Sequence, residues 1–302
     1  MNGAEPTHAD LLLQETGRRR YRAIVESLGA NNRDAVLDLG CGEGNLATMI
    51  SDGGLELRML VGLDLDRSKL LKAASKTTLN GRVGFIRGDA ENLPVAAGCF
   101  QVVVATEVLE HVPDEARCLA ELERIRPDRV IVTVPALHYP MFLLTIGSER
   151  VDGWLKKNPD PSSLPIRVAK TIFRMAVAAG IPLFLLVGIM KVRRLMYYDY
   201  RLYHGNLPHR LYTTAYLVSL FNAHGFQVEV TRGVGFSVPF VPELEVLLRS
   251  HGVHSLARIL ARVQAGLDEH FSRMPDRSQN IMVVASIPTA EGPDLPDGAP
   301  AE

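Results

Sequence analysis

Short apolar runs, separated by stretches with helical periodicity, fill the chain from Asp34 to about residue 135. Such runs are typical of parallel strands that are buried on both faces of a sheet. The pattern predicts strands at Ala35–Leu39, Met59–Leu63, Val83–Arg87, Gln101–Ala105 and Val130–Val134, and helices at Asn45–Ser51, Arg67–Leu79 and Asp114–Ile125. We therefore expect an α/β, doubly wound sheet whose ligands bind at the carboxyl ends of the strands.

Four further elements follow the same rules near the end of the chain. They are a helix at Thr213–His224, a strand at Phe226–Thr231, a helical stretch at Pro242–Phe271 and a strand at Asn280–Ile287. The two late strands lack a normal crossover, which predicts that the last one is an antiparallel edge or insert. The sheet is then mostly parallel and seven-stranded.

An amphipathic helix is predicted before the sheet, at Ala9–Leu28. It carries three consecutive arginines, Arg18 to Arg20, which we interpret as a solvated helix face. The chain then divides into a core with this helix at 1–135, an insertion at 136–205, the completion of the core at 206–287 and a tail at 288–302. The tail is rich in Pro, Gly, Ala and acidic residues, a composition typical of disorder.

The insertion, predicted to be helical, contains an apolar stretch that bears on function. The residues from Met175 to Met190 are uncharged and include Pro182. This stretch is shorter than the ~20 residues that span a bilayer, and the proline interrupts it. Two interpretations stay open: a buried cap over an acceptor pocket, or a membrane-interface element over 166–194 with cationic residues against anionic headgroups. Both imply a lipophilic acceptor.

Composition excludes several classes of protein. With 47% hydrophobic and 22% charged residues, the chain is neither disordered nor a disulfide scaffold. A net charge of -1 gives no global attraction for nucleic acid, so no nucleic-acid partner is expected. The three cysteines are widely spaced and fit a reducing cytoplasm without a metal site. Because the first ten residues lack a secretory signal, we expect a cytoplasmic protein, free or at the inner face of the membrane.

A glycine-rich turn follows the first strand and is the main candidate for ligand binding. Gly40, Gly42 and Gly44 come directly after Asp38 and Leu39, and Asp64 ends the second strand 24 positions after Gly40. Such a turn binds either a dinucleotide or S-adenosylmethionine. The third glycine comes one position too early for a dinucleotide motif, and the charge of Asp38 opposes a pyrophosphate but suits a cationic amino group or sulfonium.

The segment from Val36 to Gly44 resembles the first motif of the class I S-adenosylmethionine-dependent methyltransferases. Three further segments are similar to later motifs of that family, in order: Gly88–Pro94, Thr106–Val112 and Arg126–Pro135. They are most similar to the branch with ubiquinone and menaquinone methyltransferases and small-molecule methyltransferases. The chain departs from the family at Gln101, where Asp is usual, and before the fifth strand, where a glycine pair is missing.

The resemblance implies a Rossmann-like methyltransferase fold and S-adenosyl-L-methionine as cofactor, with no metal. It implies that Asp38 and the glycine loop hold the methionine part, that Asp64 binds the ribose hydroxyls, that the Asp89 loop contacts adenine, and that Thr106 and Glu107 line the crevice. The complete set of expected cofactor residues is Asp38, Gly40, Cys41, Gly42, Gly44, Asp64, Leu65, Asp89, Ala90, Thr106 and Glu107.

Methyl transfer from a sulfonium needs orientation, exclusion of water and sometimes a base. His111 is the candidate base, because histidine titrates near neutral pH; the alternative is a packing role for it. Four residues are predicted to contact the acceptor: His138, Tyr139, His209 and Arg210. We expect an enzyme that methylates an O, C or N atom of a hydrophobic small molecule or lipid. The alternative is a non-catalytic module that binds the cofactor and uses the insertion to bind a partner or a membrane.

Overall fold

The structure, a computed structural model, describes residues 8–28, 34–52, 57–76, 82–137, 210–236, 245, 248–249 and 252–288. Most of the predicted insertion, its apolar stretch, the membrane-interface element at 166–194 and nearly all of the tail lie outside the described residues. The predicted acceptor contacts His138, Tyr139 and His209 also lie outside them.

Seven strands form one sheet, which confirms the predicted fold class. They are β1 (Ala35–Leu39), β2 (Met59–Asp64), β3 (Val83–Arg87), β4 (Val102–Thr106), β5 (Arg129–Pro135), β6 (Gln227–Val234) and β7 (Asn280–Ser286). Their order is β3-β2-β1-β4-β5-β7-β6. The first five are parallel, whereas β7 lies antiparallel between β5 and β6, as its missing crossover predicts.

Six helices whose bounds are defined accompany the sheet in the described part of the chain. They are α1 (His8–Leu28), α2 (Asn45–Asp52), α3 (Arg67–Lys76), α4 (Glu115–Ile125), α5 (Thr214–Ala223) and α6 (His254–Ser272). A short 3-10 helix, Pro275–Arg277, precedes β7. Capping explains why α4 begins at Glu115: the side chain of Asp114 accepts hydrogen bonds from the backbone N–H groups of Ala116 and Arg117.

Successive residues of the central strands enter two different apolar clusters, because side chains alternate across a strand. One cluster contains Leu37, Val103 and Val132 and packs against α4 and α5. The other contains Val36, Val104 and Ile131 and packs against α1 and α2. The five central strands are therefore buried on both faces, and the first helix is part of the core.

Two predictions about the helices are wrong. The stretch predicted as helical from Pro242 to Phe271 is interrupted at Gly252, which has a φ of +77°. The N–H groups of Gly252 and Val253 donate to Arg249 and Leu248, a Schellman-type ending, and α6 begins after it. The arginine run on α1 is not a solvated face either, because only Arg18 is exposed.

Gln101, the position where the resemblance leads us to expect Asp, forms two hydrogen bonds. Its Oε1 accepts from the backbone N–H of Ala35 at 3.1 Å and from Nη2 of Arg58 at 2.9 Å. The link between the starts of β1 and β4 is therefore kept. The turn before β5, where the glycine pair is missing, places Arg126 in the left-handed region with a φ of +49°.

Candidate functional site

The glycine turn after β1 lies at the carboxyl edge of the sheet and has three residues in the left-handed region. Gly40, Gly42 and Gly44 have φ values of +69°, +54° and +78°. A β-carbon on Gly40 would lie 2.4 Å from Cγ2 of Val108, whereas one on Gly42 would meet nothing within 4 Å. The backbone at Gly42 is thus open to a ligand, and Gly40 is required by the packing of the turn.

Asp64 connects the end of β2 to this turn. Its Oδ2 accepts from the N–H of Gly42 at 2.9 Å, and its Oδ1 accepts from the N–H of Asp66 at 2.8 Å. The N–H of Cys41 donates to the carbonyl of Leu63 at 3.0 Å, so the turn is fixed against β2 at two points. The carboxylate is held at a definite place beside the turn, where a ligand hydroxyl could reach it.

Asp38 is a buried carboxyl group in the same crevice. Burial, reinforced by the charge of Asp64, raises its pKa to about 8. A cationic group placed here would favour ionisation of Asp38 beside Asp64, whereas a phosphate would oppose it by adding negative charge. The crevice therefore favours a ligand with positive charge.

The loop after β3 supplies a second wall. Asp89 is exposed and its Oδ1 accepts from the N–H of Glu91 at 2.9 Å, while the next residue, Ala90, is buried. Leu65, directly after Asp64, is exposed. An apolar side chain and a carboxylate at one loop cluster suit a flat, partly polar ring such as a nucleobase.

Glu107 follows the end of β4 in a strained conformation. Its φ is +56°, which is uncommon for a residue other than glycine, and its N–H donates to the carbonyl of Thr133 at 3.0 Å. Such strain is typical of functional positions when contacts hold it. Here the contacts come from two distant elements: Nδ2 of Asn280 donates to Oε1 at 2.6 Å, and Nη1 of Arg20 lies 3.4 Å from Oε2.

Glu110 lies beside Glu107 and is fully buried. Its carboxyl oxygens accept no hydrogen bond within the described part of the chain. Burial, together with the charge of Glu107, raises the pKa of Glu110 well above its usual value; burial also raises that of Glu107, against the opposing charge of Arg20. Both carboxyl groups are therefore harder to ionise than free ones, Glu110 most of all, and the charge of Arg20 opposes this effect.

His111, the predicted base, lies at the same edge as the glycine turn. Its Nε2 is 3.9 Å from Oε1 of Glu110, and its side chain is 36% exposed, so it faces both the carboxyl pair and solvent. It belongs to the turn between β4 and α4. An imidazole in this position can accept a proton at the crevice and pass it to solvent.

Arg210 holds that turn in place. Its guanidinium donates to the carbonyls of Val112 at 2.6 Å and Pro113 at 2.7 Å, and its N–H donates to the carbonyl of Glu110 at 3.1 Å. This arginine was predicted to contact the acceptor. The structure commits its guanidinium to the backbone of the turn, so a direct contact with the acceptor stays a prediction.

Helix α1 also contributes to the candidate site, which the sequence did not predict. Arg20 reaches Glu107 and also Oδ1 of Asn280, at 3.4 Å each. Burial raises the pKa of Tyr21; the charge of Arg20 opposes the shift and that of Asp38 adds to it, which places this tyrosine near the glycine turn. Arg19, in the same run, is likewise paired: its Nη1 lies 3.6 Å from Oδ2 of Asp268. The run of arginines is therefore the sequence feature that could have indicated these charge pairs.

Two features are absent from the part of the chain that the structure describes. No group of three or more His, Cys, Asp or Glu side chains is arranged there to hold a metal ion. No described helix is long and apolar enough to cross a membrane.

Comparison with known proteins gives one consistent result. Residues 37–132 match the family model described as a methyltransferase domain. The ubiquinone biosynthesis O-methyltransferase of Azorhizobium caulinodans is 30% identical over 156 residues, 48% of this chain and 60% of that protein. The chloroplastic 2-phytyl-1,4-beta-naphthoquinone methyltransferase of Arabidopsis thaliana is 34% identical over 121 residues, 38% of this chain and 46% of that protein. The chain thus spans about half the length of these relatives.

The fold is also similar to that of a solved methyltransferase structure. Magnesium protoporphyrin IX methyltransferase from Synechocystis PCC 6803, with bound SAH, aligns with a TM-score of 0.52 and 13% identity. The alignment covers 95% of this chain and 90% of that one. At this identity the likeness concerns the fold alone, and it agrees with the observed strand order and the antiparallel β7.

Proposed function

We propose that this chain is a class I S-adenosylmethionine-dependent methyltransferase, which transfers a methyl group from S-adenosyl-L-methionine to an O, C or N atom of a hydrophobic small molecule or lipid-like acceptor. The match of residues 37–132 to the methyltransferase-domain family supports this. The observation that carries the proposal is the buried Asp38 beside Asp64 at the open glycine turn. These two carboxyl groups suit the ammonium and sulfonium charges of this cofactor and not a pyrophosphate.

The residues of the crevice fit the parts of the cofactor. Asp38 and the turn Gly40, Cys41, Gly42 and Gly44 would hold the methionine part, because the backbone at Gly42 is open. Asp64 would accept hydrogen bonds from the ribose hydroxyls. Adenine would lie between Leu65 and the loop of Asp89 and Ala90, and Thr106 and Glu107 would line the crevice.

When bound, the cofactor supplies an electrophilic methyl group on a sulfonium. The protein's part is to orient the acceptor in line with that methyl group, to exclude water and to accept the acceptor's proton. His111 would take that proton at Nε2, which lies 3.9 Å from Oε1 of Glu110. His111 is partly exposed and can return the proton to solvent.

A lipophilic acceptor is supported by the relatives and by the sequence of the insertion. Two of the relatives are named for ubiquinone biosynthesis and for a phytyl naphthoquinone, compounds with apolar chains. The uncharged residues from Met175 to Met190 would cap the acceptor pocket or, within 166–194, contact a membrane surface. His138, Tyr139, His209 and Arg210 are the proposed acceptor contacts.

The test is transfer of a labelled methyl group. The protein is incubated with isotope-labelled S-adenosylmethionine and fractionated lipid and metabolite extracts, and products are analysed by mass spectrometry. We expect label in an apolar product. Label only in water-soluble products would contradict the acceptor class. Tight binding of the cofactor without any transfer would favour the non-catalytic module, and preference for a nicotinamide dinucleotide in calorimetry would overturn the proposal.

A further inference from the structure

Helix α6 exposes a row of large apolar side chains to solvent. Val253, just before the helix, is 44% exposed, and Leu256, Ile259 and Val263 are 45%, 55% and 55% exposed. With 3.6 residues per turn, the last three lie within about 60° of one another around the helix axis. Leu256, Ile259 and Val263 therefore form one continuous stripe, named here the α6 stripe. Apolar residues that are exposed singly, as is common on protein surfaces, would not be aligned in this way.

The charge next to the α6 stripe has one sign. Arg258 and Arg262 are one turn apart on the adjoining side of the helix, and both are exposed. Residues 252–267 contain no Asp or Glu; the first acidic side chains are those of Asp268 and Glu269, in the final turns. An apolar stripe bordered by cations is the pattern of a helix that lies in the interface of an anionic bilayer.

The position of α6 relates this surface to the crevice. Val234, which ends β6, and Asn280, which begins β7, pair with each other, and Asn280 also pairs with Pro135 at the end of β5. The connection that contains α6 therefore leaves and re-enters the sheet at its carboxyl edge. Antiparallel neighbours need only a short turn between them, so the 235–279 connection adds a structure at the ligand edge that the sheet does not require.

We propose that the first turns of α6 dock on an anionic lipid surface, with the α6 stripe inserted among the acyl chains and Arg258 and Arg262 on the phosphates. A second copy of this chain fits the surface less well, because two such helices would bring four arginines together without an acidic partner in this region. Docking through α6 brings the carboxyl edge of the sheet to the membrane. This goes beyond the proposed function and is measured without a methyl donor.

The test is flotation of the full chain with vesicles of phosphatidylcholine, with and without phosphatidylglycerol. We expect the protein to float with the anionic vesicles at low salt and to be released as salt is added. Each arginine near an anionic surface contributes about 1 kcal/mol, so Arg258→Gln with Arg262→Gln should lower partitioning about 30-fold. Leu256→Asp with Ile259→Asp should abolish flotation at any salt concentration.

Leu71→Asp is the matched control, because Leu71 is a similarly exposed apolar residue, 61% accessible, on α3. It should float like the wild type. Unchanged thermal unfolding of the α6 variants shows that they are folded. Flotation of both α6 variants at the wild-type level, or no flotation of the wild type, overturns the proposal. Gel filtration without lipid gives a further outcome against the proposal. It would be overturned if the wild type eluted as a dimer and the Leu256→Asp, Ile259→Asp variant did not.

Discussion

Arg20 lies 3.4 Å from Glu107, Nη1 to Oε2, and so joins the first helix to the carboxyl end of the fourth strand. The side chain of Arg20 is 16% exposed and that of Glu107 26%, so the pair is largely withdrawn from water. The charge of Arg20 also opposes the rise that burial causes in the pKa of Glu107 and of its neighbour Glu110. The first helix is thereby part of the candidate site.

Arg20→Ala should destabilise the protein. Leaving a mostly buried carboxylate without its cation costs about 2 kcal/mol, and the free energy of unfolding in urea should fall by that amount. Arg18→Ala on the same helix is the control; Arg18 is exposed, so the change should stay within about 0.5 kcal/mol. Equal effects of the two variants would contradict a role of Arg20 in holding Glu107.

The raised pKa of Asp38 predicts that stability falls with pH. Between the ordinary pKa of about 4 and the folded value of about 8, the folded state binds one proton more than the unfolded state, so stability is lost as pH rises through this window. This one group gives a slope of at most about 1.4 kcal/mol per pH unit. The raised pKa of Glu110 adds to the slope.

Asp38→Asn tests this. The variant should be more stable than the wild type at pH 8 and should lose less stability between pH 6 and pH 8, as measured by urea unfolding at several pH values. Its affinity for S-adenosylmethionine should be lower, because the charge opposite the ammonium group is gone. A pH slope identical to that of the wild type would show that Asp38 is already ionised across this range.

Asp64→Ala should weaken cofactor binding. Loss of charge-assisted hydrogen bonds of ~1.5–3 kcal/mol lowers the affinity at least tenfold, and the N–H of Gly42 loses its partner as well. Calorimetric titration with the demethylated cofactor measures the effect. Asp66→Ala, two residues on and exposed, is the control and should leave the affinity near that of the wild type. Unchanged affinity in Asp64→Ala would overturn the assignment of the ribose contact.

His111→Gln separates a catalytic from a packing role. If His111 accepts the proton, turnover should fall about 10²–10⁴-fold while cofactor affinity and thermal stability are kept. His224→Gln is the control. The Nδ1 of His224 contacts the carbonyl of Leu220 at the end of α5, so this histidine has a packing role and is not one of the candidate site residues. A loss of stability in His111→Gln that matches its loss of activity would indicate packing.

Arg126→Gly should stabilise the protein. Arg126 ends α4 in the left-handed region, where a β-carbon is unfavourable and glycine is the usual residue. Relief of this strain should raise the free energy of unfolding by about 0.5–1 kcal/mol. Arg126→Ala keeps the β-carbon and should give no gain. A gain of the same size in Arg126→Ala would show that the arginine side chain, and not the backbone, is responsible.

The sheet, the glycine turn and the resemblance to the methyltransferases could all be predicted from local patterns in the sequence. Apolar runs predict β1 to β5 within about one residue, because strands buried on both faces must be continuously apolar over a few residues. The turn and Asp64 could be predicted because they are neighbours in one short unit, β1 to β2. The antiparallel β7 followed from the missing crossover, a property of connection length.

Which distant residues meet depends on the packing of the whole chain and could not be predicted from the sequence. Arg20 and Asn280 are 260 positions apart, yet both contact Glu107, and no local pattern marks such a pairing. The periodicity of α1 shows which face is apolar, but the burial of a charged residue depends on what packs against it. For the same reason, the sequence could not show that Glu110 is enclosed beside Glu107, or that Arg210 is committed to the turn around His111.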